Sequence, residues 1–146
     1  MVNARRIEAT IGWLMVAAIV LFIASFLDWF SVDTPFGTYG GNGWDVGFLW
    51  GGLPTLLGLV MLAHVAISNF APDVSVPDWP WGRVHMVAGI VAAALVILKL
   101  IIGEDVGGFD LDRSFGIFLA ALAAIGLAVG GFLYNQEREG TPGTAL

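Results

Sequence analysis

FGIFLAALAAIGLAVGGFLY, Phe115–Tyr134, is the stretch that decides the fold. It carries no charged residue, and at about 1.5 Å per residue its length matches a hydrocarbon core of roughly 30 Å. Gly116, Ala120, Ala124 and Ala128 recur at i+4 along one face, and Gly126 and Gly130 make a GxxxG pair displaced around the helix. Helices in lipid gain little from hydrophobic exclusion, so small residues at this spacing matter because they let backbones approach closely. The stretch reads as a membrane-spanning helix with two contact faces. Both can serve packing within a bundle; the alternative is that one packs internally and the other docks a partner or a second copy of the chain.

Three more apolar runs lie N-terminal to it: Ile7–Leu27, Val46–Phe70 and Val84–Gly103. Of the 146 residues 58% are hydrophobic and 12% charged, with a mean hydropathy of +0.84, which leaves no room for a separate soluble domain. The expected fold class is an all-α membrane protein, a four-transmembrane-helix bundle over residues 1–134 with a disordered tail over 135–146. The first run is longer than the apolar region of a signal peptide and is followed by no small-x-small cleavage site, so it is expected to be retained. Pro54, after Gly51 and Gly52, is expected to bend the second helix by removing a backbone hydrogen bond. The connector Ala71–Gly82 has prolines at 72, 77 and 80 and cannot continue a helix.

Arg5, Arg6, Arg83 and Arg138 fall to one side of such a bundle, and Lys99 and Arg113 toward the other. The bias predicts that both termini are cytoplasmic. Trp79, Trp81 and Tyr134 would then belong to an inner aromatic belt, and Trp29, Phe30, Trp44, Phe48, Trp50 and Phe109 to an outer one. Between the first two spans, Val32–Tyr39 contains strand-forming residues around Pro35-Phe36-Gly37, followed by Gly40-Gly41-Asn42-Gly43, which predicts a short outer hairpin.

Several function classes drop out. With no cysteine there is no thiol nucleophile, thiolate metal site or disulfide. A net charge of −6 and a pI near 4.5 argue against nucleic acid and against a polybasic lipid anchor. No phosphate loop, Ser/His/Asp constellation, metalloprotease motif or dinucleotide fingerprint occurs, so neither enzyme activity nor a cofactor is expected. The mid-span stretches 15–21, 56–60, 92–96 and 123–127 contain no ionisable residue, which speaks against a proton or ion pathway.

The polar residues that remain form two candidate groups. Toward the outer side, Lys99 lies about one turn inside its span and is expected either to reach outward to Glu104 or Asp105, or to pair between helices with Asp28 or Asp45. Asp33, Asp110 and Asp112 add to the acidity of these loops. EDVGGFDLD, residues 104–112, lacks the EF-hand register, and Asp112 and Ser114 are better placed to cap the fourth helix. Toward the inner side, Glu8, His64 and His85 could make an open zinc site. They come from three separate spans with no paired HxxxH spacing, and interhelical hydrogen bonding is the simpler expectation.

SFLDWFSV (25–32), GNGWD (41–45) and RSFGIFLAALAAIGLAVGGFL (113–133) together resemble a group of small four-span membrane proteins of actinobacteria. The resemblance covers nearly the whole chain and implies a bacterial plasma-membrane location, but no catalytic residue. The aromatic first loop is also similar to that of claudin-like tetraspans, but it lacks both the paired cysteines and the length of that family's first loop, so that family is not adopted. The function expected is a non-enzymatic accessory or assembly subunit acting through helix faces and acidic outer loops. Its partners would be the lipid bilayer and a membrane protein or second copy. The alternative is a small carrier or lipid-binding protein with a cleft near Pro54.

Overall fold

The computed structural model describes residues 4–106 and 108–139. Four of its helices are long and apolar enough to cross a membrane. In chain order the elements are α1 (Ala4–Ala24), β1 (Asp28–Thr34), β2 (Gly37–Asn42), a π-helical turn (Phe48–Gly52), α2 (Leu53–Phe70), α3 (Trp81–Ile102), β3 (Asp105–Val106), β4 (Phe109–Asp110), β5 (Asp112–Arg113) and α4 (Phe115–Glu139). The strands gather at one end of the bundle, here the sheet end. His64 and His85 lie toward the other, the histidine end.

Helix boundaries follow local chemistry. α1 stops at Ala24, three residues before the apolar run does, because the chain tightens there, with Phe26 N–H donating to Ile23 O and Leu27 N–H to Ala24 O. α3 begins three residues before the expected Val84, with Pro80 at its N-cap, where a missing N–H costs nothing. Helical backbone continues from Phe48 to Phe70, with Pro54 in the first turn of α2 and the irregularity, the π-helical turn, directly before it. Gly51 in that turn packs so closely on the backbone of Gly43 that no side chain fits between them. α4 runs past Tyr134 to Glu139, so the expected tail from Asn135 is helical as far as it is described. Residues 140–146 lie outside the described residues, as do the side chains of Arg5, Arg6, Phe109 and Arg138.

The all-α expectation needs correction at the sheet end. β1 and β2 form the predicted hairpin, antiparallel, with Val32 opposite Tyr39 and Thr34 opposite Gly37. Gly37 has φ +130°, a backbone that favours glycine, and Thr34 Oγ1 holds the turn by donating to Gly37 O and accepting from Phe36 N–H. β5 adds to the other side of β1, with Phe30 opposite Arg113, giving a three-stranded sheet in the order β2-β1-β5. β3 and β4 make a separate two-stranded ladder. The added strand ties the loop after α3 to the loop after α1. Trp29 and Phe30 consequently do not belong to an interfacial belt: both are buried, with Trp29 Nε1–H donating to Ala24 O at 2.9 Å. Ser114 is drawn the same way, its hydroxyl meeting that of Ser31 at 2.7 Å.

α4 is the central helix, packed chiefly on α3 and then on α1. Both of its small-residue faces are used within the chain. A side chain at Gly126 would meet Ala17 and Trp13 of α1, and one at Gly130 would meet Leu14 and Trp13; Trp13 Nε1–H also donates to Gly126 O at 2.7 Å. On the α3 side, Gly89 lies against the backbone of Leu127 and Ala128, and Gly131 against the carbonyl of His85. Gly116 abuts the backbone of Leu27 and Asp28, and Ala120 and Ala124 are fully buried. Ile117, Leu127 and Tyr134 are buried with them, while Phe118, Leu122, Ile125 and Val129 point outward, as the lipid-facing side of a span should.

Candidate functional site

At the sheet end, Lys99 is 6% exposed although it stands on an apolar helix. Its ammonium lies 3.4 Å from Glu104 Oε1, and 5.8 and 5.7 Å from the ring centres of Phe30 and Trp50. An ammonium over aromatic faces and beside a carboxylate recovers much of what it loses on leaving water. Of the two arrangements expected for Lys99 the structure therefore shows the one with Glu104. Asp28 and Asp45 do not pair with it.

Glu104 also belongs to a cavity of about 390 Å³ formed with Phe30, Val32, Tyr39, Gly40, Gly41, Asp45, Val46 and Leu111. The hairpin supplies most of its wall, through Phe30 and Val32 of β1 and Tyr39, Gly40 and Gly41 of β2. Asp45 fixes the adjoining turn by accepting the Asn42 N–H through Oδ2 at 2.9 Å. The carboxyl of Asp28 lies against Gly40, close enough that a side chain there would strike it. The expected outer cluster is thus brought around one place, although not as a network. Asp105 falls in a smaller neighbouring cavity of about 220 Å³ that also includes Asp110 and Arg113. Arg113 is committed elsewhere, its guanidinium donating to the carbonyls of Leu100 and Ile101 at the end of α3.

The volume of the larger cavity and its apolar walls with a few polar groups are typical of small-ligand sites. Its two charged wall residues, Asp45 and Glu104, are both acidic, and Glu104 is already matched by Lys99. Asp45 is the other charged group on that wall, and a cationic group carried on an apolar body would complement it.

At the histidine end, His64 Nδ1 and His85 Nε2 are 2.9 Å apart, both rings are buried, and Ser68 Oγ stands 3.3 Å from His64 Nε2. Trp81 stacks on His64 with ring centres 3.9 Å apart and planes 11° from parallel, and Tyr134 lies 4.4 Å from His85. One imidazole must donate to the other, so the pair holds at most one extra proton while the contact lasts. Glu8 is exposed and takes no part. Among the described residues no group of three or more His, Cys, Asp or Glu side chains is placed to hold a metal ion. Instead, α1 and α4 are joined at this end by Thr10, whose hydroxyl donates to Glu137 Oε2 at 2.7 Å. Sequence spacing offers no sign of that bond across 127 positions.

Pro54 is fully buried, and its neighbours Leu53 and Leu57 line one wall of a groove between α2 and α3. No family model matches the chain, and neither do any curated protein or solved structure.

Proposed function

We propose that the protein is a non-enzymatic, multi-pass subunit of a bacterial plasma membrane, with both termini in the cytoplasm, that holds a partner through its acidic sheet end. The observation that carries this reading is the 390 Å³ cavity, apolar in its walls and acidic at Asp45 and Glu104. A lysine or arginine side chain on the outer part of a membrane partner has the matching chemistry, a charge on an aliphatic stem. The interior supports an assembly role over transport: the buried mid-bundle positions Leu21, Ala92, Val96 and Ala124 are all apolar. The small-residue seams of α4 hold the bundle itself, which shifts partner recognition away from them and toward the cap.

The test is purification from native membranes in mild detergent. The wild-type chain should retain a stoichiometric membrane partner, and Asp45→Lys should lose it while still folding, at a cost limited to the exposed turn bond that Asp45 accepts from Asn42 N–H. A wild-type chain that purifies alone, or an Asp45→Lys variant that keeps its partner, overturns the assignment.

A further inference from the structure

A second groove lies away from the sheet-end cavity, between α2 and α3. α2 and α3 part to leave a groove of about 470 Å³ lined by Leu53 and Leu57 on one wall and Val84, Val87, Ala88 and Val91 on the other. It is apolar along its length, and Pro80 and Arg83 close it at the histidine end. From Arg83 to Val91 the α3 wall rises roughly 12 Å at 1.5 Å per residue, so the groove reaches well into hydrocarbon. Arg83 is exposed and has no hydrogen bond or ion pair among the described residues. Asp78, the nearest acid in the connector before it, is also exposed and makes no ion pair with it. Trp79 and Trp81 stand beside this rim with ring centres 5.1 Å apart, and Trp81 Nε1–H donates to Pro77 O at 2.9 Å. Tryptophans at the end of a span favour headgroup depth, the level at which the Arg83 guanidinium would meet lipid phosphates.

We propose that this groove is a binding site for one anionic phospholipid, with an acyl chain between α2 and α3 and the headgroup phosphate on Arg83. The charge decides the occupant. A neutral apolar molecule would leave the guanidinium unused, and a soluble anion would leave the groove unused; a lipid carrying net negative charge satisfies both, and arginine matches phosphate geometry with two parallel donors. Phosphatidylcholine offers the same chain and phosphate but adds a choline cation next to Arg83, which sets the expected preference.

The experiment is thermal unfolding of the full chain in dodecyl maltoside micelles, with added phosphatidylglycerol, phosphatidylcholine or inorganic phosphate. Phosphatidylglycerol should raise the unfolding temperature by several degrees, with little or no rise from the other two. Arg83→Gln, a change at an exposed side chain, should fold as the wild type does and respond equally to both lipids. Arg83→Lys should keep part of the preference, and Val87→Phe, which narrows the groove, should weaken the response to phosphatidylglycerol. Equal responses of the wild type to the two lipids overturn the proposal, as does a preference that survives Arg83→Gln. A rise from inorganic phosphate that matches the rise from phosphatidylglycerol would assign the site to a free anion and overturn it as well.

Discussion

The two ends of the bundle bury polar groups by opposite means. At the sheet end a full charge, Lys99, is kept inside by pairing it with Glu104 and facing it with Phe30 and Trp50. Glu104 remains 28% exposed, so the pair sits at the edge of water, next to an open cavity. At the histidine end the buried groups are two imidazoles that bond to one another and are closed over by Trp81 and Tyr134. A cation can be buried where a carboxylate and water are near, whereas a neutral donor and acceptor can be buried deeper because they satisfy each other. The charged pair thus stays at the edge of water, and the imidazole pair ties α2 to α3.

The sharpest way to break this comparison is at the seams that close the histidine end. Gly131→Leu and Gly89→Leu put a side chain into the facing backbone, and overpacking at a site that cannot yield should cost about 3 kcal/mol or more. Gly126→Leu and Ala124→Leu should also destabilise the solitary chain, since each position is enclosed by it. Detergent-solubilised thermal unfolding reads all four. If Gly131→Leu and Gly89→Leu unfold at the wild-type temperature, the closed packing of this end is wrong.

Removing one imidazole should come next in size. His85→Leu leaves the buried His64 Nδ1 facing an apolar group, a loss of about 2 kcal/mol. A double-mutant cycle with His64→Leu isolates the pair, and a coupling indistinguishable from zero would mean that the two rings merely pack.

A smaller loss is expected from Lys99→Met. The partner carboxylate can turn to water, so the cost should be about 1 kcal/mol, less than for a fully enclosed ion pair. The cycle with Glu104→Gln should show coupling, and those with Asp28→Asn and Asp45→Asn should not. Coupling to either aspartate instead would restore the interhelical pair and remove the distinction drawn between the ends. Smallest of all is Phe36→Ser at the tip of the hairpin, where the ring is 90% exposed; a change beyond about 0.5 kcal/mol in unfolding would show that the tip packs on something.

Several of these features are legible in the sequence, and they share a physical basis. The apolar runs around α1, α2, α3 and α4 have a length that lipid alone explains, and Pro35-Phe36-Gly37 between strand-forming residues specifies the hairpin. The small residues of α4 announce close helix approach without saying which helix approaches. Only the tertiary structure decided that Gly126 and Gly130 face α1, that Gly131 faces α3, and that no small-residue face of α4 is left over. It also decided that Asp112-Arg113 becomes a strand on β1, which carries Trp29 and Phe30 from an expected interface into the core. The packing of α2 on α3 likewise brings His64 to His85. Length and turn chemistry act within a few residues and can be read along the chain, but partners at distances of 21, 83 or 127 positions, as in His64–His85, Ser31–Ser114 and Thr10–Glu137, are set by how whole helices pack.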